Sequence, residues 1–364
     1  MLSNRRATLI VVLLCALAVL VFSSFRLMGP HTIALTSASG GITVDITKER
    51  AYWKSRIQAV GDESAYAELA QAVASVTDVQ AHNTAHAFGL ALYDVKGISG
   101  IRVCDERFGM GCIHQVIGTA IADMGITELV AKIRPICSSF ESYQNEKRCH
   151  HGIGHSLVSL YGYSIGGLRQ ALSFCNEISS DTTPIFGCKS GVFMEYSKHS
   201  LIATDAEPRT FSESEKYEPC ISLTDKYERA TCIFWQPIWW YWFLDAHATT
   251  SPFAIMGVYC GSSELSPYES RTCVEGIGFM AVRPQSGASK VSAADACHDV
   301  SNDPERRILC WSYAQTQLYV PYTFDTAAHV CGGLTRGARD YCVAHINDRA
   351  DADPKNGFTR PTVR

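Results

Sequence analysis

Fourteen of this chain's fifteen cysteines fall into seven couplets, and no other feature restricts its fold so tightly. The couplets are Cys104/Cys112, Cys137/Cys149, Cys175/Cys188, Cys220/Cys232, Cys260/Cys273, Cys297/Cys310 and Cys331/Cys342. Spacings within a couplet are 8, 12, 13, 12, 13, 13 and 11 residues; between couplets they are 25, 26, 32, 28, 24 and 21. Thiolate metal sites place cysteines two to four residues apart, and the chain has no C-x-x-C. The spacing therefore predicts seven disulfides within couplets, in a compartment oxidising enough to keep them.

The second cysteine of each couplet recurs every 32 to 44 residues, the range of helical-hairpin repeats. An apolar-periodic segment such as "SIGGLRQALSFC" ends at a first cysteine, and a polar loop, "NEISSDTTPIFG", follows it. The second cysteine then opens another apolar segment, "CKSGVFMEYS". Each unit reads as helix A, loop and helix B, with a disulfide joining the end of A to the start of B. Closing a loop of about twelve residues stabilises a hairpin by roughly 3 kcal/mol on the chain-entropy model. A further hairpin without cysteines is expected over "DESAYAELAQAVASVTDVQAHNTAHAFGLALYDVKG", residues 62 to 97.

The expected fold is all-α: about eight α/α hairpins, seven with an internal disulfide, forming a curved solenoid or a closed toroid with B helices on its concave side. This arrangement resembles tandem α/α-hairpin repeat families, some of them also disulfide-stapled. The resemblance spans roughly residues 60 to 346 and is one of architecture alone. The hairpin domain is placed at 61–346, after a linker and leading helix at 26–60 and before a flexible tail at 347–364.

Residues 7–25 carry no charge and follow Arg5 and Arg6. Nineteen residues at about 1.5 Å per residue nearly span a hydrocarbon core of about 30 Å. The expectation is an uncleaved transmembrane anchor, with residues 1–6 as a cytoplasmic stub and the bulk of the chain extracytoplasmic. A net charge of −4 and the lack of a basic stretch interleaved with aromatics argue against nucleic acid as a partner.

Aligning the units on their second cysteines gives the histidines a common register. Two residues beyond that cysteine stand His114, His151, Ser190, Phe234, Glu275, Ser312 and Ala344. His155 follows His151 by four, and His82 and His86 repeat that spacing in the hairpin without cysteines. Residues i and i+4 share a helix face, and packed helices lie about 8 to 10 Å apart. His82, His86, His114, His151 and His155 should thus converge near the starts of three consecutive B helices, forming a wall suited to Zn, Cu or Fe. Glu195 and Glu275, on later B helices, are the candidate general bases for hydrolytic or oxidative chemistry at such a metal. His150 lies about 100° round the helix from His151 and is set aside. His199, His247, His298, His329 and His345 read as surface or loop residues.

The competing reading is an interaction scaffold that grips a protein, peptide or glycan on its concave face, with structural histidines. Trp235, Trp239 and Trp242, at i, i+4 and i+7, would then be a stacking face, although core is the commoner fate of such a stripe. Gly152, Gly154, Gly191, Gly276 and Gly278 recur just beyond second cysteines and mark close approach, by preference of neighbouring helices. The chain has no H-E-x-x-H, no P-loop motif for a nucleotide and no C-x-x-C-H for c-type haem.

Overall fold

The computed structural model describes residues 45–76, 78–105, 107–140, 143–178, 187–198, 210–247, 250–282, 292–317 and 324–350. Among them there are helices and turns and no strand. The apolar segment 7–25, residues 26–44 and the tail beyond 350 lie outside the described residues; within these, no helix is long and apolar enough to cross a membrane.

One set of helices packs in sequence order. Helix α1 (Ile46–Val60) lies against α3 (Asp78–Lys96), and α3 against α4 (Gly111–Met124). The row continues through α6 (Tyr143–Tyr161), α8 (Cys188–Lys198), α9 (Lys226–His247), α11 (Pro267–Ala281), α13 (Pro304–Gln317) and α15 (Arg336–Ala350), each packed on the one before it. Between them run the mostly shorter helices α2 (Asp62–Ala72), α5 (Ile126–Cys137), α7 (Ile165–Ile178), α10 (Pro252–Cys260), α12 (Ala293–Asp299) and α14 (Phe324–Val330), each against the row helix that follows. The links before α4 and α9 are 3-10 turns instead of α-helices: Gly97–Val103 and Arg107–Met110 in the first, Glu213–Glu215 and Cys220–Ser222 in the second.

All seven expected couplets are disulfides, with Cα–Cα distances of 5.3 to 5.8 Å. Cys104 is bonded to Cys112, Cys137 to Cys149, Cys175 to Cys188 and Cys220 to Cys232. Cys260 is bonded to Cys273, Cys297 to Cys310 and Cys331 to Cys342. No cysteine in them is more than 5% exposed. Seven such bonds are consistent with an oxidising, extracytoplasmic compartment.

The expected place of the second cysteine, at the start of its B helix, holds in two units and needs correction in five. Helix α8 begins at Cys188 and α4 one residue before Cys112. By contrast, Cys149 lies six residues beyond the first residue of α6, and Cys232 six beyond that of α9. Cys273 in α11, Cys310 in α13 and Cys342 in α15 are displaced inward by the same six residues. In these five units the disulfide is therefore anchored in the second turn of helix B. The extra turns are written in polar residues that read as loop. Ser266 shows why the turn before Cys273 is helical: its hydroxyl caps the Glu269 N–H, the Glu269 carboxylate returns to the Ser266 N–H, and Pro267 occupies the first helical position.

The repeated glycines sit where row helices cross. A side chain on Gly191 would run into the carbonyl of His151, and one on Gly154 into the carbonyl of Cys188, so α6 and α8 meet backbone to backbone. Gly276 against Phe234 and Gly278 against Cys310 do the same for α11 with its two neighbours. Gly152 is filled by Ile113 and Ile117 of α4. The tryptophan stripe is core at Trp235 and Trp239, but Trp240 is the third buried member and Trp242 is 47% exposed. Trp240 is drawn inward because its indole N–H donates to the Lys216 carbonyl at 2.8 Å.

Candidate metal centre

His82 and His86 project from one face of α3, His114 from α4, and His151 and His155 from α6, three helices packed in succession. The rings form a continuous group: centroids are 4.5 Å apart for His82–His86, 6.2 Å for His86–His114, 4.2 Å for His114–His155 and 4.8 Å for His155–His151. The five imidazoles singled out by register are therefore neighbours in space. His151 and His155 lie in the middle of α6 instead of at its start, because α6 begins at Tyr143, ahead of Cys149.

Hydrogen bonds fix the tautomers of the first pair. His82 Nδ1 lies 2.7 Å from the Phe108 carbonyl, which can only accept, so that nitrogen carries the proton. His86 Nδ1 lies 2.9 Å from Gln115 Oε1, and the Gln115 amide nitrogen donates to Thr119 Oγ1 at 3.2 Å. The Gln115 oxygen is thereby the group facing His86, and His86 Nδ1 donates to it. In neutral rings both Nε2 atoms then carry lone pairs, and these face each other at 2.9 Å. Two lone pairs at that distance repel unless a cation lies between them.

His114 completes the group. It is 1% exposed, and neither ring nitrogen has a hydrogen-bond partner. Ligand nitrogens of His82, His86 and His114 all fall within 4.8 Å of one another. A tetrahedral ion with metal–nitrogen bonds of about 2.0 to 2.1 Å separates its ligands by about 3.4 Å, between the 2.9 Å of the His82–His86 pair and the 4.8 Å within which the trio lies.

The second pair has a different surround. His155 Nε2 lies 3.0 Å from His151 Nε2, while His155 Nδ1 is 2.8 Å from Glu195 Oε2. Glu195, on α8, also accepts from the Tyr163 hydroxyl at 2.5 Å. His155 and Glu195 are both 0% exposed. Burial and then the Glu195 carboxylate push the Tyr163 phenol far above its ordinary range, so it stays protonated and donates. Trp235 closes this end, its ring 6.1 Å from His151 and its N–H on Ser190 Oγ at 3.2 Å.

Burial favours the neutral imidazole at His86 and His114. Burial lowers the His86 pKa, against an opposing pull from Gln115 and Glu195. Burial, followed by the charges of His155, His82, His86 and His151, holds His114 well below the ordinary histidine range. Neutral imidazole is the form that ligates a metal.

Other residues fall elsewhere. Glu275 pairs with Arg271 one turn back on α11, 3.1 Å away. Its register position is nevertheless buried in six of the seven units, with Ala344 the exposed exception. His150 is 4% exposed, inside the protein as its neighbours are. His329 is exposed and bonded to Asp295 at 2.6 Å, and half-buried His298 contacts Asp299 at 3.0 Å; His345 bonds the Tyr341 carbonyl. The side chains of His199 and His247 lie outside the described ones.

Phe108, Gln115 and Tyr163, which orient the cluster, carry no register signal. Only the i+1 position of Gln115 beside His114 hinted at one of them. One catalytic-looking string also belongs here: residues 162–166, "GYSIG", match G-x-S-x-G. They join two helices, and Ser164 Oγ accepts from the Gly167 N–H at 3.1 Å, so the serine caps α7.

Fold and site together define an all-helical, multiply disulfide-bonded protein with a cluster of five histidines, four of them buried and His82 half-buried. No family model matches the chain, and neither the curated proteins nor the solved structures contain a match to it.

Proposed function

We propose that the protein is an extracytoplasmic transition-metal protein whose primary site is His82, His86 and His114. One observation carries this reading: the Nε2 atoms of His82 and His86 face each other at 2.9 Å with both Nδ1 protons already committed, beside a buried His114 without partners. A shared proton would satisfy the pair but would place a positive charge in a site where burial opposes it. A metal ion satisfies all three imidazoles at once. Three histidines leave a fourth position open on a tetrahedral Zn or Cu ion, as hydrolytic metal sites do. Iron is the less suited occupant, because its usual non-haem sites add a carboxylate to two histidines.

The wider setting is part of the same reading. Packing of the row helices in sequence order, with a disulfide-bonded unit every few tens of residues, supports a solenoid built of hairpins. The uncharged run 7–25 after Arg5 and Arg6 supports a membrane anchor holding that domain outside the cytoplasm.

The test is metal content. Tag-free full-length protein, stripped and reconstituted with Zn, Cu or Fe in turn, is expected to retain at least about one equivalent of one of them after gel filtration. Retention below about a tenth of an equivalent for all three would sink the proposal.

A further inference from the structure

The primary site leaves His151, His155, Glu195 and Tyr163 without a role, although they bury a carboxylate and two imidazoles, one of which, His155, has its ring centroid 4.2 Å from that of His114. A carboxylate accepts and cannot donate, so the 2.8 Å contact assigns the His155 Nδ1 proton and turns the Nε2 lone pair toward His151. Metal-bound histidines are held in this way, with the far nitrogen on a carboxylate that fixes the tautomer and makes the near nitrogen a stronger donor. The second oxygen of Glu195 is fixed by Tyr163, so the carboxylate is itself held in place.

Charge and symmetry point the same way. Glu195 is fully buried, and a carboxylate in that setting strengthens the hold of its imidazole partner on a cation at the far nitrogen. The pair also copies the primary site. His82/His86 and His151/His155 share the i,i+4 spacing, their facing Nε2 atoms are 2.9 and 3.0 Å apart, and both carrier helices pack on α4.

We propose that His151 and His155 hold a second divalent transition-metal ion, with Glu195 as the positioning residue behind His155. This rests on the primary-site reading and goes beyond it in number and asymmetry. The primary ion has three imidazoles, two of them backed by neutral acceptors, the Phe108 carbonyl and the Gln115 amide. The second has two imidazoles, one of them backed by an anion. It therefore keeps more open coordination positions than the primary ion. Glu195 acts through His155, not as a base toward metal-bound water.

Co(II) titration of the stripped, tag-free full-length protein, followed by d–d absorption and by metal analysis, tests this. Two equivalents are expected at saturation. His151→Ala/His155→Ala should leave one, and His82→Ala/His86→Ala should likewise leave one with a different spectrum. Glu195→Gln should still reach two equivalents, with the second-step affinity lowered about 10- to 100-fold. If either double variant fails to fold, as read by circular dichroism, the stepwise constants of Glu195→Gln decide, and an unchanged second constant overturns the proposal. Saturation of the wild type at one equivalent also overturns it, whether or not His151→Ala/His155→Ala removes that ion, while the reading of a metal protein stands. Failure to bind any metal removes both.

Discussion

The carbonyl of Phe108 and the imidazole of His82 meet at 2.7 Å across 26 residues of chain, tying the loop of the first disulfide to the histidine-bearing edge of α3. Phe108 and Met110 both adopt left-handed backbone, with φ of 58° and 63°, a conformation that costs a non-glycine residue energy and needs support. The Cys104–Cys112 bond supports it by closing an eight-residue separation around them.

The first prediction follows from that loop. Cys104→Ser/Cys112→Ser leaves the other six disulfides and all five histidines in place but frees the Phe108 carbonyl. Metal affinity of the primary site is expected to fall about 10- to 100-fold, the usual effect of losing an outer hydrogen bond on a ligand. Competition titration with a chromophoric chelator measures it, and an unchanged constant would show that the loop does not orient His82.

Gln115 is the second lever. Gln115→Leu removes the acceptor for His86 Nδ1–H and with it the preference for the tautomer that turns Nε2 toward His82. A similar loss of about 10- to 100-fold in affinity is expected, with little change in fold because Gln115 is only partly buried. Thermal unfolding of the metal-free variant beside the wild type separates the two effects.

Acid should weaken the metal-free protein. His86 and His114 have folded-state pKa values below the ordinary 6.5. Between those lowered values and 6.5 the unfolded chain binds more protons than the native one, so stability rises with pH there. Their contribution is fully present above about pH 6.5 and is lost progressively as the pH falls below it. Denaturant unfolding of the stripped protein from pH 7.5 to 5 should therefore show a falling midpoint, and His114→Phe should flatten that fall. A midpoint independent of pH in the wild type would contradict the neutral, buried state assigned to His114.

The glycines give a prediction with an internal control. A methyl group at Gly191 meets the His151 carbonyl, whereas at Gly118, also within a helix, it meets nothing within 4 Å. Gly191→Ala is expected to destabilise by about 1 to 3 kcal/mol or more through overpacking. Gly118→Ala should instead be neutral or stabilising by up to about 1 kcal/mol, through helix propensity. Equal effects at the two positions would mean that α6 and α8 do not approach as described.

Much of this was legible in the cysteines. Couplet spacing specifies the disulfide pairing and, through it, a register that places His114, His151 and His155 on neighbouring helices, with His82 and His86 matched by their own four-residue spacing. Helix starts were misread where the opening turn is polar, as in the residues from Pro267 to Arg271 before Cys273 and from Pro304 to Arg307 before Cys310. Apolar periodicity is silent in a turn that faces solvent, and capping chemistry has to be read instead. The unit of Cys220 and Cys232 replaces an expected helix with 3-10 turns, and nothing in its spacing betrays that. Phe108 contributes a backbone carbonyl, which no residue type encodes. Tyr163 reaches Glu195 from 32 positions away, a pairing that only the tertiary path of the chain creates.

The crossing of Gly154 and Gly191 also bears on which ions the protein can accept. Because His151 lends its own carbonyl to that crossing, the backbone carrying a ligand is wedged between two helices with no side-chain cushion to compress. An ion of larger radius held at His151 would have to spread whole helices, each also tied by a disulfide to the linking helix before it, where a loop-built site would simply relax. With a metal at His151, the helix row would work as a gauge: ion size would be checked against the spacing of main chains, through glycines that never touch the ion.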